Sequence, residues 1–395
     1  MARFPRAFYM VTGCATLTFI ASTLTQPFFS LYVAERGAST VELGLIISLM
    51  SYTTLVTRLP LGLLTGRRGT WWVVPFALLG QSASSLLYGF VSTSASFYPI
   101  RVFHAVALAS LNPTLMSLAA SVLPEGRKGE GFGTYLTSVG LGMMGGPLLC
   151  SALISYFDYR TIFLLSSIIP LSVFPVYISI LRNEAFGTQL SRTHRRETIH
   201  QPSWQYLKTI VALKPVQALT YGRFTFAFIM AIVTTLFPLY VVNTLKIDPA
   251  VYALFFTIEG LANTLARLPT GRVSDVIGRK IPLTLAFILL TAVLLLFSAV
   301  EDFATIGLVM FLYGAAHGIR AVSEWSFLGD VVQRESMSLA NFYFSSVFDL
   351  GSALGATFAG SAAIMLSTPT ILRLASAVVA SSAVVLTFTQ TTPKN

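Results

Sequence analysis

The sequence predicts an all-α membrane protein with twelve transmembrane helices in two pseudo-symmetric six-helix bundles. Three observations support this prediction. The chain has 395 residues, is 54% hydrophobic and only 11% charged, and has a mean hydropathy of +0.72, whereas about a quarter of the residues in a soluble domain are charged. Long apolar runs alternate with short polar loops along the whole chain, and several motifs occur twice with an almost constant displacement.

The apolar runs fall into two groups of six. A transmembrane helix needs about 20 mainly apolar residues. The first run follows Arg3 and Arg6 and is too long for the core of a signal peptide, so we interpret it as a span. The predicted spans are residues 9–33, 43–64, 72–91, 97–120, 132–157, 161–181, 215–242, 251–270, 281–300, 305–328, 339–365 and 370–388.

A polar, basic segment at residues 182–214 separates the two groups and predicts a cytoplasmic linker between bundles at 1–181 and 215–395. If both termini face the cytoplasm, the outer loops receive few cations beyond Arg36, Arg160 and Lys246. This distribution follows the positive-inside rule. It predicts a multi-pass protein of the cell membrane with both termini in the cytoplasm.

Several classes of function are disfavoured by the sequence. The net charge of +10 is explained by the loops, so we expect no nucleic-acid partner. Cys14 and Cys150 lie in apolar runs without metal-ligand spacing, and no nucleotide-binding loop or zinc-protease motif is present. We therefore expect a monomer without enzymatic activity, metal or cofactor, whose partners are a small-molecule substrate, protons and the lipid bilayer.

A basic, glycine-containing hairpin occurs twice, 209 residues apart: RLPLGLLTGRRG at residues 58–69 and RLPTGRVSDVIGRK at 267–280. Gly69 and Gly278 suit a tight turn that needs a positive φ. Asp275 can accept hydrogen bonds from N–H groups at the start of a neighbouring helix, and Gly66 in the first copy cannot. The hairpins predict an asymmetric inner gate or, alternatively, a basic turn that serves topology alone. The predicted gating-loop residues are Gly62, Arg67, Gly69, Gly271, Asp275, Gly278 and Arg279.

Glycines four residues apart occur in the fifth and eleventh predicted spans. Gly142, Gly146 and Pro147 correspond to Gly351, Gly355 and an alanine, again displaced by 209 residues. Small residues at this spacing allow helix backbones to approach closely, and a proline can kink a helix. Either a moving interface or simple helix association explains this pattern. The sequences FSLYV at 29–33 and FPLYV at 237–241 add a match displaced by 208 residues.

The duplicated hairpin resembles the loop signature of the major facilitator superfamily, G-x-L-[AS]-D-[RK]-x-G-[RK]-[RK], with the acid present only in the second copy. The GMMGGP run at residues 142–147 resembles the fifth-span signature of that superfamily's proton-coupled antiporters. Residues 101–105 partly resemble the fourth-span signature of the drug-proton antiporters. The resemblance implies two six-helix bundles around a central cavity that opens alternately to each side of the membrane.

Ionisable residues inside predicted spans are the strongest functional candidates, because a charge at the bilayer centre costs at least about 2.5–3.5 kcal/mol. Glu259 lies nine residues into the eighth span, hence about 13 Å deep, and Asp349 has a similar depth in the eleventh. Each is a candidate proton carrier, and the alternative is permanent pairing with an arginine. Met50 and Gly140 take their places in the first half.

The tenth span presents His317, Arg320 and Glu324 on one helical face. Glu324 is a third proton-coupling candidate, although Arg320 can neutralise it. Arg223 in the seventh span can bind an anionic substrate, pair with an acid or extend to the inner surface. The candidates for substrate binding or charge pairing are Arg101, His104, Asn112, Arg223, His317 and Arg320.

The leading hypothesis is a secondary transporter that exports small organic compounds in exchange for protons by alternating access. Proton-coupled uptake of an organic anion or nutrient is the first alternative, and inward flux would indicate it. A membrane sensor or scaffold with a transporter fold is the second alternative, and binding without flux would indicate it.

Overall fold

The computed structural model describes residues 4–68, 71–123, 128–181, 204–333 and 336–389. These residues are almost entirely helical and include no β-strand, which confirms the predicted all-α class. The helices of the first half are α1 (Arg6–Leu24), α2 (Phe29–Glu35), α3 (Thr40–Arg68), α4 (Val73–Gly89), α5 (Phe97–Leu108), α6 (Leu111–Ser121), α7 (Lys128–Ile154), α8 (Tyr159–Ser166) and α9 (Ile168–Leu181).

The second half has the same succession of long helices. A short helix, α10, precedes it within the segment that was predicted as the linker. The helices are α10 (Trp204–Ala212), α11 (Lys214–Leu239), α12 (Pro249–Ile277), α13 (Lys280–Phe297), α14 (Phe303–Val331), α15 (Met337–Ala362) and α16 (Thr368–Phe388).

Within the described residues, nine helical segments are long and apolar enough to cross a membrane. Helix α4 is apolar but shorter, whereas α12 and α15 are long but more polar and carry Glu259 and Asp349. Helices satisfy their own backbone hydrogen bonds, which the bilayer interior requires. The chain is therefore a multi-pass membrane protein.

Three predicted spans, the first, fourth and sixth, are each divided into two helices, the sixth into α8 and α9. Pro27 lies between α1 and α2, where its missing backbone N–H removes one helical hydrogen bond. The fourth span is interrupted between α5 and α6, just before Asn112 and Pro113. Pro113 lies in the first turn of α6, where its missing N–H has no helical acceptor and costs little.

The helices before the two hairpins are longer than predicted. Helix α3 continues to Arg68 and α12 to Ile277, because a glycine inside a helix costs only about 1 kcal/mol and does not end it. The expectation that these residues form loops is therefore wrong for Gly62, Arg67, Gly271 and Asp275. The second turn comes at Gly278, whose φ is +88°. Gly69 lies outside the described residues.

The chain divides into two compact units. Unit 1 comprises Met1–Ala38, Thr53–Gln201 and Pro249–Thr257, and unit 2 comprises Ser39–Tyr52, Pro202–Asp248 and Ile258–Asn395. Most of each unit comes from one half of the sequence. The start of α3 nevertheless belongs to unit 2, and the start of α12 belongs to unit 1.

The two units pack equivalent helices in the same way. In unit 1, α1 packs against α7 and α9, and α4 packs against α5, α8 and α9. In unit 2, α11 packs against α15 and α16, and α13 packs against α14 and α16. The motif repeat pairs α1 with α11 and α7 with α15, so the packing has the same internal symmetry as the sequence.

The glycines of α7 bring it into backbone contact with α1. A Cβ on Gly142 would lie 2.7 Å from the carbonyl oxygen of Thr16, and one on Gly146 would lie 2.8 Å from that of Ile20. Helix α7 continues through Pro147. Any larger side chain at these two glycines would force the helices apart.

The equivalent glycines of α15 contact α11 in the same way. A Cβ on Gly351 would lie 2.5 Å from the carbonyl oxygen of Phe224, and one on Gly355 would lie 2.8 Å from the Cα of Phe228. Both glycine pairs thus join two helices of one unit. Their observed contacts are those of helix association inside a bundle.

Candidate functional site

The polar centre of unit 2, formed by facing side chains of α11, α12 and α14, is the candidate site. Glu259 on α12 and His317 on α14 are in contact, with 3.3 Å between Oε1 and Nδ1. Their side chains are 14% and 17% exposed. The ring of His317 lies against Phe226, with centroids 4.8 Å apart, and near Tyr313. The acid is therefore held by a partner that can itself gain or lose a proton.

Glu324 has a different environment, because two arginines hold its carboxylate. Arg320 pairs with Oε2 from one turn earlier in α14, as the sequence predicted. Arg223 of α11 places Nη1 3.2 Å from Oε1. With a side chain only 2% exposed, Glu324 has both oxygens occupied by guanidinium groups. This geometry stabilises the anion and ties α11 to α14.

Aromatic rings cover the two arginines. The guanidinium carbon of Arg320 lies 3.7 Å from the ring centroid of Phe226. That of Arg223 lies 4.8 Å from Trp325 and 5.1 Å from Phe348. A cation over the face of a ring gains electrostatic stabilisation that partly replaces lost hydration. Of the three alternatives considered for Arg223, the structure shows pairing with an acid, Glu324.

Asp349 lies in the same unit as Glu259. It is buried in α15, directly after Phe348, whose ring packs against Arg223. The structure therefore places all three candidate acids in unit 2.

Sequence reasoning missed two polar residues next to these acids. Asn263 is buried one turn after Glu259 and accepts a hydrogen bond of 2.9 Å from Nε of Arg267. Tyr313 is buried one turn before His317. Both lie four residues from a chosen candidate, so the helical period could have identified them.

The first-half candidates lie in a different environment. Arg101 stacks on Phe29, with its guanidinium carbon 4.1 Å from the ring centroid, and His104 contacts Tyr88 edge-on at 5.9 Å. Both ring nitrogens of His104 are buried and make no hydrogen bond within the described part of the chain. Asn112 is exposed on α6. These three residues belong to unit 1, so the structure does not group them with Glu259.

The second hairpin forms an ion network at the end of α12. Arg279 pairs with Asp275 one turn earlier and with Asp330 of α14, 3.4 Å away, and donates a 2.7 Å hydrogen bond to Oγ of Ser274. Asp275 was expected to accept from helix N–H groups, and the structure gives it a side-chain partner instead. The network connects the end of α12 to the end of α14.

Comparison with known proteins identifies the family. The model of the Major Facilitator Superfamily matches residues 11–356 and 219–395. The chain belongs to the Major Facilitator Superfamily. This confirms the resemblance drawn from the hairpin motifs. Members of this superfamily are membrane transporters of small molecules, not enzymes.

Named relatives of this superfamily member include multidrug resistance proteins. Multidrug resistance protein MdtG of Klebsiella pneumoniae is 24% identical over 315 residues, covering 78% of this chain and 74% of the relative. MdtG of Salmonella arizonae is 24% identical over 358 residues, covering 87% and 85%. An uncharacterized MFS-type transporter, MJ1560 of Methanocaldococcus jannaschii, is 26% identical over 149 residues, covering 38% of this chain and 39% of the relative.

Solved structures show the same fold. The crystal structure of a bacterial homologue of the human lysosomal transporter Spinster, inward-facing and unoccupied, matches with a TM-score of 0.69 and 13% identity. The match covers 97% of this chain and 94% of that chain. At this identity the likeness establishes the major facilitator fold alone.

Proposed function

We propose that this superfamily member exports small, partly apolar organic compounds from the cytoplasm in exchange for protons, by alternating access. The names of the MdtG relatives support a multidrug-type substrate range. The cations concentrated in the predicted inner loops support a location in the cell membrane with both termini in the cytoplasm. The acids inside unit 2 support coupling to protons.

The contact between Glu259 and His317 carries the proposal. When Glu259 is protonated, its O–H can donate to the neutral imidazole. When Glu259 is ionised, a ring N–H can donate to the carboxylate, and protonation of the ring strengthens this bond. The pair thus keeps a hydrogen bond in both states, so a proton can bind and leave without exposing an unpaired charge.

The three acids have different proposed roles. Glu259 takes a proton from the outer side and releases it to the cytoplasm, while substrate moves outward. Asp349 is a second proton carrier. Glu324 stays ionised between Arg223 and Arg320 and serves as a fixed link between helices, because its protonation would leave two buried cations without a counter-charge.

The hairpin network has a proposed role at the inner gate. Arg279 joins Asp275 and Asp330 where α12 and α14 end. Breaking and remaking these exposed ion pairs costs little, since such pairs are each worth about 0–1 kcal/mol. The network therefore suits a latch that opens once per transport cycle.

Proteoliposomes with an imposed pH gradient test the export mechanism. A diverse panel of small organic compounds is offered while internal pH and compound accumulation are recorded. We expect the protein to move compounds uphill against a counter-flow of protons. Glu259→Gln should abolish uphill transport but retain exchange of labelled for unlabelled compound, because only proton binding is removed.

Glu301→Gln, in an exposed loop, is the matched control and should behave as the unmodified protein. The coupling assignment is wrong if Glu259→Gln and Asp349→Asn each leave proton-driven transport intact.

One observation favours uptake of an organic anion as a second candidate function. Arg223 lies against two aromatic rings and is 11% exposed, so an anionic, partly aromatic substrate would find both charge and stacking partners there. In the same vesicles, accumulation in the direction of the proton flux would identify uptake, and accumulation against it would identify export.

A further inference from the structure

Two glycines of α14 bring it into backbone contact with α12 beside the proton-carrying pair. A Cβ on Gly314 would contact the carbonyl oxygen of Glu259 and lie 2.9 Å from its Cα and carbonyl carbon. A Cβ on Gly318 would contact the carbonyl oxygen of Asn263 and lie 3.2 Å from Cβ of Ala266. The opposing atoms are mainly backbone, so a side-chain rotation cannot relieve the contact. Only a shift of one helix can.

The two glycines lie on either side of His317 along the helix. Residues 314, 317 and 318 share one face, since positions three and four apart are neighbours on a helix surface. The ring of His317 therefore lies at the place where the two backbones are closest. Its Nδ1 is 3.3 Å from Oε1 of Glu259, already near the upper limit for a hydrogen bond. Separation of the helices by about 1 Å would break this contact.

We propose that Gly314 and Gly318 are positioning residues for proton coupling. They hold α14 against α12, which keeps His317 within hydrogen-bond reach of Glu259. The inference rests on the proposed function, in which this pair carries the proton. No larger residue at position 314 keeps the pair together.

Three helices contribute side chains that surround the pair of Glu259 and His317. Tyr313 and Arg320 approach it from α14, and Arg267 from α12. Helix α11 contributes Phe226 beside the imidazole. Glu259 and His317 are in direct contact, whereas Arg320 is committed to Glu324. A change in helix spacing therefore acts first on the contact between Glu259 and His317.

A metal bridge tests the spacing without reference to protons. In Glu259→His, the new imidazole lies opposite the native ring of His317, and two imidazoles at this distance can share a zinc ion. Zinc should then inhibit substrate exchange in proteoliposomes. Adding Gly314→Ala should raise the inhibitory zinc concentration about tenfold or more, since displaced ligands lose affinity on that scale. Adding Gly133→Ala should leave it unchanged, because a Cβ there meets open space.

Coupling is measured separately in the otherwise unmodified protein. We expect Gly314→Ala to lose most proton-driven accumulation and to flatten its dependence on pH, while exchange of labelled for unlabelled compound remains. Retained exchange shows that the variant is folded. If Gly314→Ala is not recovered, Gly318→Ala is measured. A Cβ there also contacts a backbone carbonyl oxygen, that of Asn263, but lies slightly farther from the carbonyl carbon, at 3.1 Å instead of 2.9 Å.

The outcomes distinguish this inference from the proposed function. If Gly314→Ala leaves both the zinc inhibition and the proton-driven accumulation unchanged, the positioning role is wrong. If zinc inhibition weakens but Glu259→Gln still couples to protons, the spacing role is upheld and the proton assignment fails. If zinc inhibition weakens and both variants lose coupling, both proposals are upheld.

Discussion

Units 1 and 2 share their helix packing but differ in the chemistry of their centres. With α1 aligned to α11 and α5–α6 to α14, the positions of Arg223, Arg320 and Glu324 in unit 2 are taken in unit 1 by Ala15, Leu111 and Leu115. All three of these residues are fully buried and belong to one apolar core cluster. At these three positions the centre of unit 1 is therefore filled by apolar side chains, whereas the centre of unit 2 contains an ion cluster.

One edge-on contact between aromatic rings, in contrast, is present at equivalent positions of both units. Tyr88 and His104 of unit 1 make an edge-on contact at 5.9 Å, and Phe297 and Tyr313 make one at 5.7 Å at the equivalent positions of unit 2. Both units therefore share this packing contact, whereas only unit 2 has charged residues at the three compared positions. We infer that the charges of unit 2 are retained for function, at a cost in stability.

The largest expected effect comes from breaking the ion cluster of unit 2. Glu324→Gln leaves the cations of Arg223 and Arg320 without a counter-charge, and loss of one partner of a buried pair costs about 3–5 kcal/mol. We expect a strongly lowered melting temperature in detergent, measured by loss of the monodisperse peak in size-exclusion chromatography after heating. Glu301→Gln is the control and should melt like the unmodified protein.

A triple variant then makes the centre of unit 2 resemble that of unit 1. Replacing a whole buried ion cluster by apolar residues is often neutral or stabilising, so Arg223→Ala, Arg320→Leu and Glu324→Leu together should restore the melting temperature. If the triple variant melts at as low a temperature as Glu324→Gln, the ion cluster stabilises unit 2. An apolar centre like that of unit 1 then cannot replace it.

An intermediate effect is expected from the paired glycines, and here the two units should agree. Gly146→Leu and Gly355→Leu each place a large side chain against a backbone, in α1 and α11 respectively. Overpacking of this kind costs about 1–3 kcal/mol or more. Both variants should lower the melting temperature by a similar amount, while Gly133→Leu should not. A large difference between Gly146→Leu and Gly355→Leu would show that close packing matters in one unit only.

Features that depend on a single helix could be predicted from the sequence. The pairing of Arg320 with Glu324 followed from their spacing within α14, and the fold class followed from the apolar runs and the repeat. Contacts between helices were beyond such reasoning. Arg223 reaches Glu324 across 101 residues of sequence, and His317 reaches Glu259 across 58. These distances are set by helix crossings that periodicity does not encode.

The hairpins show the same limit on a smaller scale. The glycines marked the region of the turn, but helix α12 continues through Gly271 and turns only at Gly278, where φ is positive. A glycine permits a turn without requiring one. The pairing of Arg279 with Asp330 needs the end of α14, which lies 51 residues further along the chain.

The smallest expected effect concerns the helix starts, where unit 1 has a side-chain cap and the equivalent residue of unit 2 makes no capping hydrogen bond within the described residues. Asp158 caps α8 by accepting a 3.1 Å hydrogen bond from the backbone N–H of Thr161. Ser367 at the start of α16 makes no side-chain hydrogen bond to the described helix backbone, and its hydroxyl lies 2.9 Å from that of Thr370. Asp and Ser are comparable caps and Ala is a poor one. We therefore expect Asp158→Ala to lower the melting temperature slightly at pH 7, and Asp158→Ser to lower it less.

The pH dependence of this cap separates the ionised carboxylate from the hydroxyl. Hydrogen bonds from Thr161 hold the pKa of Asp158 below its ordinary value of 3.8. A carboxylate whose pKa is lowered by folding stabilises the protein above the ordinary pKa, and this stabilisation is lost as the pH falls through the lowered value. The advantage of Asp158 over Asp158→Ser should thus be constant from pH 7 to about 5 and disappear in acid below the ordinary pKa. An advantage that persists at the lowest pH would assign the cap to the geometry of the side chain and not to its charge.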